Sequence, residues 1–460
     1  MKNKKFYITT AIDYVNASPH IGHAFEKVLA DAISRWHCLK KEKVYFLTGT
    51  DENAQKNEQA AKEKGVPVKE FVDKNSQSFI ELCKKLNISN DDFIRTTEAR
   101  HVKKVQEFFK QLSEKGEIYK GKYEGLYCVG CEEYKTEKDL IDGKCIEHNK
   151  APIKMSEEAY FFKLSKYYSK ILSFVKSAVI PEARKAEILA RLEKEELRDL
   201  CVSRTGLSWG IDSQIDKKFK VYVWIDALSN YVTALESNEG EFWPADVHVI
   251  GKGINWFHSV IWPAILLALG YELPKKILVH GYLNLKGQKM SKSLGNIINP
   301  IELLAKYPAD SVRYSLLKCS VFEDSDYSEE ILIERHNSEL ANKLGNLVSR
   351  VSTLAEKYGT EKTENKLVKK LKVKEIESLL DSYELDKALA LIFEFIDECN
   401  LYVQENKIWE TGDKKKLYEL VESIKEAAFY LSPFIPETAE KIQNIFKGKI
   451  KKSEILFKKI

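Results

Sequence analysis

The sequence predicts an α/β fold: a Rossmann-type, doubly wound parallel sheet that is split by an insertion and followed by an all-α helical bundle. Short apolar stretches alternate with helical patterns up to about residue 116 and again from about residue 220. Between them lies a loop-rich segment that carries clustered cysteines. Beyond about residue 324 the strand patterns end, and only helical spacing of apolar residues remains.

The first strand is predicted at Lys5–Thr10, where aromatic and β-branched residues follow one another. A helix is predicted from about Phe25, because apolar residues then recur every three or four positions. Val44–Leu47 is a second short strand, and the acidic residues Asp51 and Glu52 follow it. An acidic residue at this end of a strand lies where open α/β sheets bind ligands. Further strands are predicted at 220–224, 248–250 and 276–280.

The C-terminal region contains three segments with helical periodicity, which predict a helical bundle with a connecting loop at 362–374. The periodic positions are Leu340, Leu344, Leu347, Val351 and Leu354; Leu385, Leu389, Ile392, Phe395 and Cys399; and Leu417, Leu420, Ile424, Ala427 and Leu431. The predicted domain limits are 1–116 and 220–285 for the two halves of the sheet domain, 117–219 for the insertion, 286–335 for a region with a basic loop, and 336–460 for the bundle.

The composition is that of a globular protein, with 460 residues of which 44% are hydrophobic and 31% are charged. The formal net charge is only +4, so any binding of nucleic acid would depend on local patches. No apolar stretch approaches the ~20 residues of a membrane span, and no secretory pattern follows Met1. We therefore expect a cytoplasmic protein. The eight cysteines are mostly dispersed, which argues against a disulfide scaffold.

The segment Pro19–His23 lies where a strand gives way to a helix. His20, Gly22 and His23 are expected at the helix N-terminus, where free backbone N–H groups and the helix dipole favour a phosphate. Gly22 would let a nucleotide approach the backbone, and both imidazoles can donate hydrogen bonds to phosphate oxygens. Taken alone, the segment is equally compatible with two surface histidines beside a turn.

A second segment, Lys289–Ser293, lies in a predicted loop with glycines on both sides. Its two lysines, Lys289 and Lys292, are three positions apart and can close together on a pyrophosphate leaving group. The alternative is a solvated basic loop, which is common in a lysine-rich chain. The presence of both segments favours a site that binds the triphosphate of ATP from two sides.

The clustered cysteines form two ligand pairs with a histidine. Cys128 and Cys131 are one pair, Cys145 and His148 the other, and each pair has two intervening residues. Three thiolates and one imidazole at this spacing are typical of a closed, tetrahedral zinc site. Because no coordination position stays open, the zinc should be structural. The alternative is a flexible insert without metal.

The chain resembles the methionyl-tRNA synthetase family of class I aminoacyl-tRNA synthetases over essentially its whole length. Pro19–His23 matches the HIGH signature and Lys289–Ser293 the KMSKS signature. More specific matches lie at 11–14, 49–52, 222–231, 256–258 and 262–263, and the cysteine cluster resembles the zinc knuckle of the single-zinc members. The resemblance implies ATP-dependent activation of L-methionine to methionyl-adenylate and its transfer to tRNA(Met), including the initiator, with release of AMP and pyrophosphate.

The resemblance also implies roles for individual residues. Asp51 should hold the α-ammonium of methionine, and the thioether should lie among residues rich in aromatic rings, against which sulfur packs well. These residues are Ile12, Tyr14, Trp224, Ala227, Leu228, Tyr231 and His258, with core packing as the alternative role of each aromatic. The implied catalytic residues are His20, His23, Lys289 and Lys292, and Gly22, Gly251 and Gly253 complete the implied ATP site. ATP, Mg²⁺ and one structural Zn²⁺ are the expected cofactors.

In the helical region, Asn346, Arg350 and Trp409 resemble the family's readers of the CAU anticodon. Asn346 and Arg350 are four positions apart on one helix face, and an amide, a guanidinium and an indole suit single-stranded RNA. Without the resemblance, a packing role for Trp409 and a surface role for Arg350 would be favoured. The C-terminal domain that dimerises some relatives is not recognised, so we expect a monomer.

The chain departs from the family pattern in three places. Asn53 and Ala54 stand where the family usually has His-Gly, and Gly253 stands where it usually has Asp, a carboxylate expected near the ribose of the nucleotide. Ile408 stands where Pro is common. Two other functions stay open: another class I synthetase or related adenylating enzyme, and a catalytically inactive RNA-binding protein.

Overall fold

The computed structural model describes residues 4–131, 133–135, 139–146, 149–236, 240–290 and 297–460, with the backbone alone at Tyr134 and Lys289. The chain divides into two compact units. Unit 1 comprises Met1–Pro19, Glu42–Glu81 and Asn90–His280, and unit 2 comprises His20–Lys41, Leu82–Ser89 and Gly281–Ile460. Among the described residues, no helix is both long enough and apolar enough to span a membrane.

Unit 1 contains most of the strands, and unit 2 is mainly helical. The strands are β1 Lys5–Thr10, β2 Asp13–Tyr14, β3 Lys43–Asp51, β4 Asp92–Arg95, β5 Ile118–Cys128, β6 Glu133–Lys135, β7 Leu140–Ile141, β8 Lys144–Cys145, β9 Ile153–Phe162, β10 Val179–Ile180, β11 Leu200–Cys201, β12 Ser203–Arg204, β13 Lys220–Val221, β14 Val247–Gly251, β15 Lys276–His280, β16 Leu283–Leu285, β17 Gln288–Lys289 and β18 Ser325–Asp326. The helices are α1 Ile21–Leu39, α2 Gln55–Glu63, α3 Val68–Lys85, α4 Ala99–Glu114, α5 Tyr168–Ala178, α6 Glu182–Lys194, α7 Val223–Thr233, α8 Trp262–Leu269, α9 Pro300–Lys306, α10 Ala309–Leu317, α11 Glu329–Arg335, α12 Asn346–Tyr358, α13 Val373–Asp381, α14 Leu385–Glu405, α15 Ile408–Thr411, α16 Lys414–Leu431 and α17 Pro436–Ile445.

The main sheet of unit 1 is parallel, with strand order β10-β15-β14-β1-β3-β2 and with β4 also paired to β3. On one side of β1, the successive strands β3 and β4 lie progressively farther out in the sheet. On the other side, β14 lies next to β1 and β15 lies beyond it. This arrangement confirms the predicted doubly wound sheet. Thr10, Asp51 and Gly251 end neighbouring strands, so their carboxyl ends lie along the edge where such sheets bind ligands.

Most predicted strands of this sheet are confirmed, and one is wrong. β1 and β15 have the predicted limits, and β3 extends beyond the predicted segment to include Asp51. In the segment predicted as a strand at 220–224, only β13 is extended, and it pairs antiparallel with β12 outside the main sheet. The helix α7 then begins at Val223. All residues of α7 are buried, so its apolar run lacks the polar face by which a helix is distinguished from a buried strand.

The predicted insertion contains a long antiparallel ladder between β5 and β9, to which β6 and β11 add further pairs. The small hairpin β7–β8 carries Cys145. The later part of the same segment supplies β10, which lies beside β15 in the main sheet. The domain limits given above stay a prediction.

Unit 2 contains the predicted helical bundle. The first periodic segment begins in the π-helical segment His336–Gly345 and continues in α12, and the other two lie in α14 and α16. The predicted connecting loop is interrupted by a 3₁₀ turn at Leu367–Lys370 and ends where α13 begins. A π-helical segment, His336–Gly345, immediately precedes α12, and in unit 1 another, Phe257–Ile261, precedes α8. Such segments occur frequently at functional sites, and here each one adjoins residues predicted to bind a substrate.

Candidate functional site

In unit 1, the structure brings the acidic and aromatic residues of the predicted amino-acid site together. Tyr14 lies opposite Asp51 in the register of β2 and β3. The Tyr14 ring meets Trp224 edge-on at a centroid distance of 6.5 Å, and Trp224 stacks on Phe257 at 3.4 Å. The stacking of Phe257 on Trp224 was not predicted, although Phe257 lies directly before His258 in one of the matched motifs. These contacts form an aromatic wall beside a carboxylate.

Asp51 is the last residue of β3 and is only 2% exposed. Its backbone carbonyl accepts a hydrogen bond from Asn57 Nδ2 at 3.0 Å, which holds the end of the strand. A buried carboxylate is stabilised by a cationic partner, because the charged form loses its hydration. The position and burial of Asp51 therefore suit the ammonium group of an amino acid.

Hydrogen bonds fix the orientation of Tyr231 and His258. His258 Nδ1 lies 3.0 Å from the carbonyl of Ile254, which can only accept, so Nδ1 carries the proton. His258 Nε2 is then the acceptor for the hydroxyl of Tyr231 at 2.7 Å. Both side chains are buried. Ala227 and Leu228 are buried on α7, whereas Ile12 is partly buried against the same core.

A second histidine, His248, lies next to this pair, with its ring centroid 4.2 Å from that of Tyr231. Burial lowers the pKa of His248 well below its usual value, and the neighbouring His258 lowers it further. Trp262 Nε1 donates to His248 Nε2 at 3.3 Å, so the proton of the neutral ring is on Nδ1 and faces Thr9 Oγ1 at 2.7 Å. Trp262 is fully buried and serves the core.

Glu52, next to Asp51, is engaged by neighbouring side chains. Arg95 binds its two carboxylate oxygens at 2.6 and 2.9 Å, and Ser76 and Thr50 donate to Oε1 at 2.5 and 2.9 Å. The hydrogen bonds to Glu52 raise the pKa of Arg95 above its usual value. Glu52 therefore anchors the end of β3.

Lys56, in the first turn of α2, was not predicted as a site residue. Its Nζ lies 3.0 Å from the centroid of the Tyr14 ring, a cation–π contact, and 3.5 Å from the carbonyl of Gly130. Lys56 thus contacts both the aromatic wall and the loop between Cys128 and Cys131.

In unit 2, His20 and His23 form a compact pair at the start of α1. Their rings stack at a centroid distance of 3.7 Å. His20 Nδ1 accepts the N–H of Gly22, and His23 Nδ1 accepts the N–H of His20, both at 3.1 Å. In a neutral ring the proton is therefore on Nε2, which makes Nε2–H the group that each imidazole offers as a donor.

The expectation of free backbone N–H groups at this helix end is wrong for the first three residues. The N–H of Ile21 donates to the carbonyl of Ile298 at 3.0 Å, that of Gly22 to His20 Nδ1, and that of His23 to the carbonyl of His20 at 3.0 Å. A Cβ at Gly22 would lie 3.0 Å from the His20 ring, so the glycine leaves room for this ring. The first three amides of α1 are therefore already bonded within unit 2.

The predicted loop and the glycine positions are only partly described. The backbone of Lys289 ends β17, paired with Asn284 of β16, whereas Lys292 lies outside the described residues. The bond between Ile21 and Ile298 joins the chain just after this loop to the start of α1, within unit 2. In unit 1, Gly251 ends β14 and Gly253 lies in the 3₁₀ turn Lys252–Ile254 that follows.

Three of the four predicted metal ligands cluster in the structure. The Sγ atoms of Cys128, Cys131 and Cys145 lie within 4.8 Å of one another, and those of Cys131 and Cys145 are 3.5 Å apart. Zn–S bonds of ~2.3 Å in a tetrahedron place sulfur atoms ~3.8 Å apart, so the donor set fits zinc. His148, the fourth predicted ligand, lies outside the described residues.

Asn346 and Arg350 line one side of a groove of about 440 Å³ on the helical bundle. Ser349, Thr353 and Lys452 also line it, and Lys452 is brought there by a hydrogen bond from the N–H of Ser453 to Ser352 Oγ at 3.0 Å. Within the described part of the chain, the side chains of Asn346, Arg350 and Lys452 form no hydrogen bond or ion pair. Three unsatisfied polar side chains in one groove suit an external polar ligand.

Trp409 lies on the short helix α15 and is 40% exposed. The residues on either side of this helix have a left-handed backbone conformation: Lys407 has a φ of 42° and Gly412 a φ of 59°. The hydroxyl of Tyr358, the last residue of α12, donates to the carbonyl of Trp409 at 3.2 Å. The backbone of Trp409 is thus fixed while much of its indole faces solvent, an arrangement typical of a stacking platform.

Comparison with known proteins places these features in context. The family described as class I tRNA synthetases (M) matches residues 6–145 and 131–352, and an anticodon-binding domain of tRNA ligases matches residues 366–459. The methionine–tRNA ligase of Clostridium perfringens is 43% identical over 98% of this chain and 74% of its own length, and that of Rickettsia conorii is 42% identical over 99% and 95%. Mycobacterium tuberculosis methionyl-tRNA synthetase in complex with methionyl-adenylate matches with a TM-score of 0.91 at 36% identity, over 96% of this chain and 94% of that one.

Proposed function

The chain belongs to the methionyl-tRNA synthetase family, and on that premise we propose that it activates L-methionine with ATP and transfers the methionyl group to tRNA(Met), including the initiator. The observation that carries this proposal is the buried carboxylate of Asp51 beside the wall of Tyr14, Trp224 and Phe257. It offers an ammonium site and a polarizable pocket, which are the two recognition elements of methionine. Ile12, Ala227, Leu228, Tyr231 and His258 complete the proposed pocket.

The proposed activation step needs no covalent nucleophile from the protein. The carboxylate of methionine attacks the α-phosphate of ATP, and pyrophosphate leaves with the electron pair of the broken P–O bond. The protein positions the reactants and stabilises the developing charge. We assign triphosphate binding to the imidazoles of His20 and His23 and to Lys289 and Lys292, and Mg²⁺ bound with ATP would supply further positive charge to offset that of the phosphates. Gly251 and Gly253 are proposed to line the nucleotide site.

Amino-acid-dependent exchange of pyrophosphate into ATP tests this function directly. We expect exchange with methionine at rates far above those with the other nineteen amino acids. Exchange driven by another amino acid would support a different class I synthetase, and absence of exchange would support an inactive RNA-binding protein. The stacked, mutually oriented His20 and His23 support an active enzyme over the latter.

The second half-reaction is proposed to use the groove at Asn346 and Arg350, with Trp409 as a stacking platform for an anticodon base. Their chemistry fits unpaired bases, whose edges pair with amide and guanidinium groups and whose faces stack on an indole. Lys452, in the same groove, adds a cation suited to a phosphate of the RNA backbone. We propose that the enzyme is cytoplasmic. We also propose that it is a monomer, since one chain provides all of the proposed sites.

Replacing Trp409 by Ala is expected to reduce kcat/KM for charging of tRNA(Met) by about 5- to 150-fold, the value of one stacked base. Methionine-dependent pyrophosphate exchange should be unchanged, because it requires no tRNA. Phe429 is a matched control, since it is similarly exposed at 39% and lies on α16. Phe429→Ala should leave both reactions intact. Equal losses of charging and exchange in Trp409→Ala would argue against a role in RNA binding.

The cysteine cluster is proposed to hold one structural zinc ion through Cys128, Cys131, Cys145 and His148. Metal analysis of the freshly purified protein should give one zinc per chain. Cys131→Ser and His148→Ala should lower that content, whereas Cys319→Ala, which changes a buried cysteine of unit 2, should not. Zinc retained at full occupancy in Cys131→Ser would contradict this assignment.

A further inference from the structure

A buried chain of hydrogen bonds joins elements that carry the proposed methionine pocket, and none of the roles above includes it. Asp226 Oδ1 lies 2.7 Å from His101 Nε2, and Asp226 Oδ2 lies 2.8 Å from Asn53 Nδ2. His101 Nδ1 in turn lies 2.7 Å from Thr233 Oγ1. Asp226 is 1% exposed, and His101 and Thr233 are fully buried. These hydrogen bonds hold the side chains in fixed orientations, because breaking any one of them would leave a buried polar group without a partner.

The network connects the two sides of the pocket. Asn53 follows the end of β3 by two residues, and its Nδ2 also donates to the carbonyl of Thr96 at 3.1 Å. Asp226 lies in the first turn of α7, between Trp224 and Ala227. The bond from Asn53 to Asp226 therefore links the strand end that carries Asp51 to the helix that carries the side-chain wall.

We propose that Asp226, oriented by His101 and Asn53, is a positioning residue that fixes the spacing between the Asp51 carboxylate and the α7 wall, and so sets the side-chain length that the pocket accepts. The inference rests on the proposed methionine activation. The ammonium is held from β3 and the side chain from α7, so a change in their spacing changes which chain length fits. One methylene in such a pocket is worth a factor of about 10–200 in kcat/KM.

The role proposed for position 53 is that of a donor. The Nδ2 group of Asn53 donates to Asp226 Oδ2 at 2.8 Å, and a carboxylate oxygen can only accept. What position 53 requires is a hydrogen-bond donor, and a test can separate that requirement from simple filling of space.

Two substitutions at position 53 make this separation. Asn53→Asp keeps the size but turns a donor into an acceptor that faces Asp226, whereas Asn53→Ala removes the bond without adding repulsion. We expect KM for methionine in pyrophosphate exchange to rise about tenfold in Asn53→Ala, the worth of one charge-assisted hydrogen bond, and further in Asn53→Asp. A packing role predicts the opposite order. KM for ATP should stay within twofold of the wild-type value.

Asp226→Asn tests the centre of the network, because its amide group cannot accept from both His101 and Asn53. It should raise KM for methionine about tenfold or more and reduce the preference for methionine over ethionine, which is one methylene longer. Tyr45→Phe is the matched control. It removes a 3.3 Å hydrogen bond to Asp92 from the same strand, β3, and should change neither KM.

The inference is overturned if Asn53→Asp has a smaller effect than Asn53→Ala, or if KM for ATP rises in parallel with KM for methionine. Should Asp226→Asn fail to fold, the two variants at the half-buried Asn53 still decide the question. A wild-type protein that exchanges with another amino acid instead would refute the proposed function. The same comparison of KM values, made with that amino acid, would then decide the present inference.

Discussion

Replacing Asp51 by Asn is expected to lower kcat/KM for methionine in pyrophosphate exchange by about 150- to 5000-fold. The substitution keeps the size of a side chain that is 2% exposed but removes the charge proposed to pair with the α-ammonium. Breaking a buried ion pair costs about 3–5 kcal/mol, because the remaining charge stays desolvated without compensation. The loss should lie mainly in KM for methionine, with KM for ATP little changed.

A substrate analogue that lacks the amine isolates this effect. Inhibition by 4-(methylthio)butanoate, which has the thioether and carboxylate but no ammonium, should be as strong in Asp51→Asn as in the wild type. Asp91→Asn is a suitable control in the same unit. Asp91 accepts the N–H of Phe46 at 2.8 Å, and asparagine retains an acceptor there. Weakened inhibition by the amine-free analogue in Asp51→Asn would show that Asp51 shapes the pocket rather than binding the ammonium.

The position of Asp51 at the carboxyl end of a strand is predicted from the sequence, because local patterns determine it. An apolar run predicts the buried strand, and the polar residues that follow mark its carboxyl end. The clustering of Cys128, Cys131 and Cys145 is predictable for a similar reason, since short spacings within each pair restrict the ligand geometry. The same local reasoning fails for α7, whose complete burial removes the periodicity that identifies a helix.

Contacts between distant segments could not be predicted in this way. His101 and Asp226 are 125 positions apart, and their hydrogen bond depends on how α4 packs against α7. Lys452 reaches the groove of Asn346 only because Ser453 binds Ser352. The internal bonding of the first amides of α1 was also missed, because it depends on side-chain rotamers of His20 and His23 and on Ile298. A helix N-terminus attracts anions only when its amides are not already satisfied.

The largest effect on stability is expected at Arg313, a fully buried arginine of α10 in unit 2. Its guanidinium lies 2.7 Å from Asp31 of α1 and donates to the carbonyls of Leu86, Pro433 and Phe434 at 2.9–3.1 Å. It therefore ties the helix that begins after His20 to the turn between α16 and α17. Arg313→Met should lower the free energy of unfolding by about 3–5 kcal/mol at neutral pH, measured by urea denaturation.

The pH dependence of that loss distinguishes a charge effect from a packing effect. Burial alone would raise the pKa of Asp31, but Arg313, Arg35 and a hydrogen bond from Ser89 outweigh it and hold this pKa below its usual value. In the wild type, this carboxylate therefore adds stability above the pKa of the unfolded chain, and that stability is lost as the pH falls through the folded pKa. Removing Arg313 raises the pKa of Asp31, so the difference in unfolding free energy between wild type and Arg313→Met should be smaller at pH 5 than at pH 7.5.

Two further variants complete this test of Arg313. Arg313→Lys keeps the charge but lacks the planar fork needed for the carbonyl bonds, so an intermediate loss is expected. Lys318→Met removes a partly exposed ion pair at the end of the same helix, in which Lys318 Nζ lies 3.0 Å from Glu339 Oε1. This substitution should lower the free energy of unfolding by at most about 1 kcal/mol. A loss in Arg313→Met that is the same at both pH values would mean that packing, not the charge of Asp31, makes Arg313 important. A loss as small as that of Lys318→Met would mean that α1 and the α16–α17 turn are held together without this buried pair.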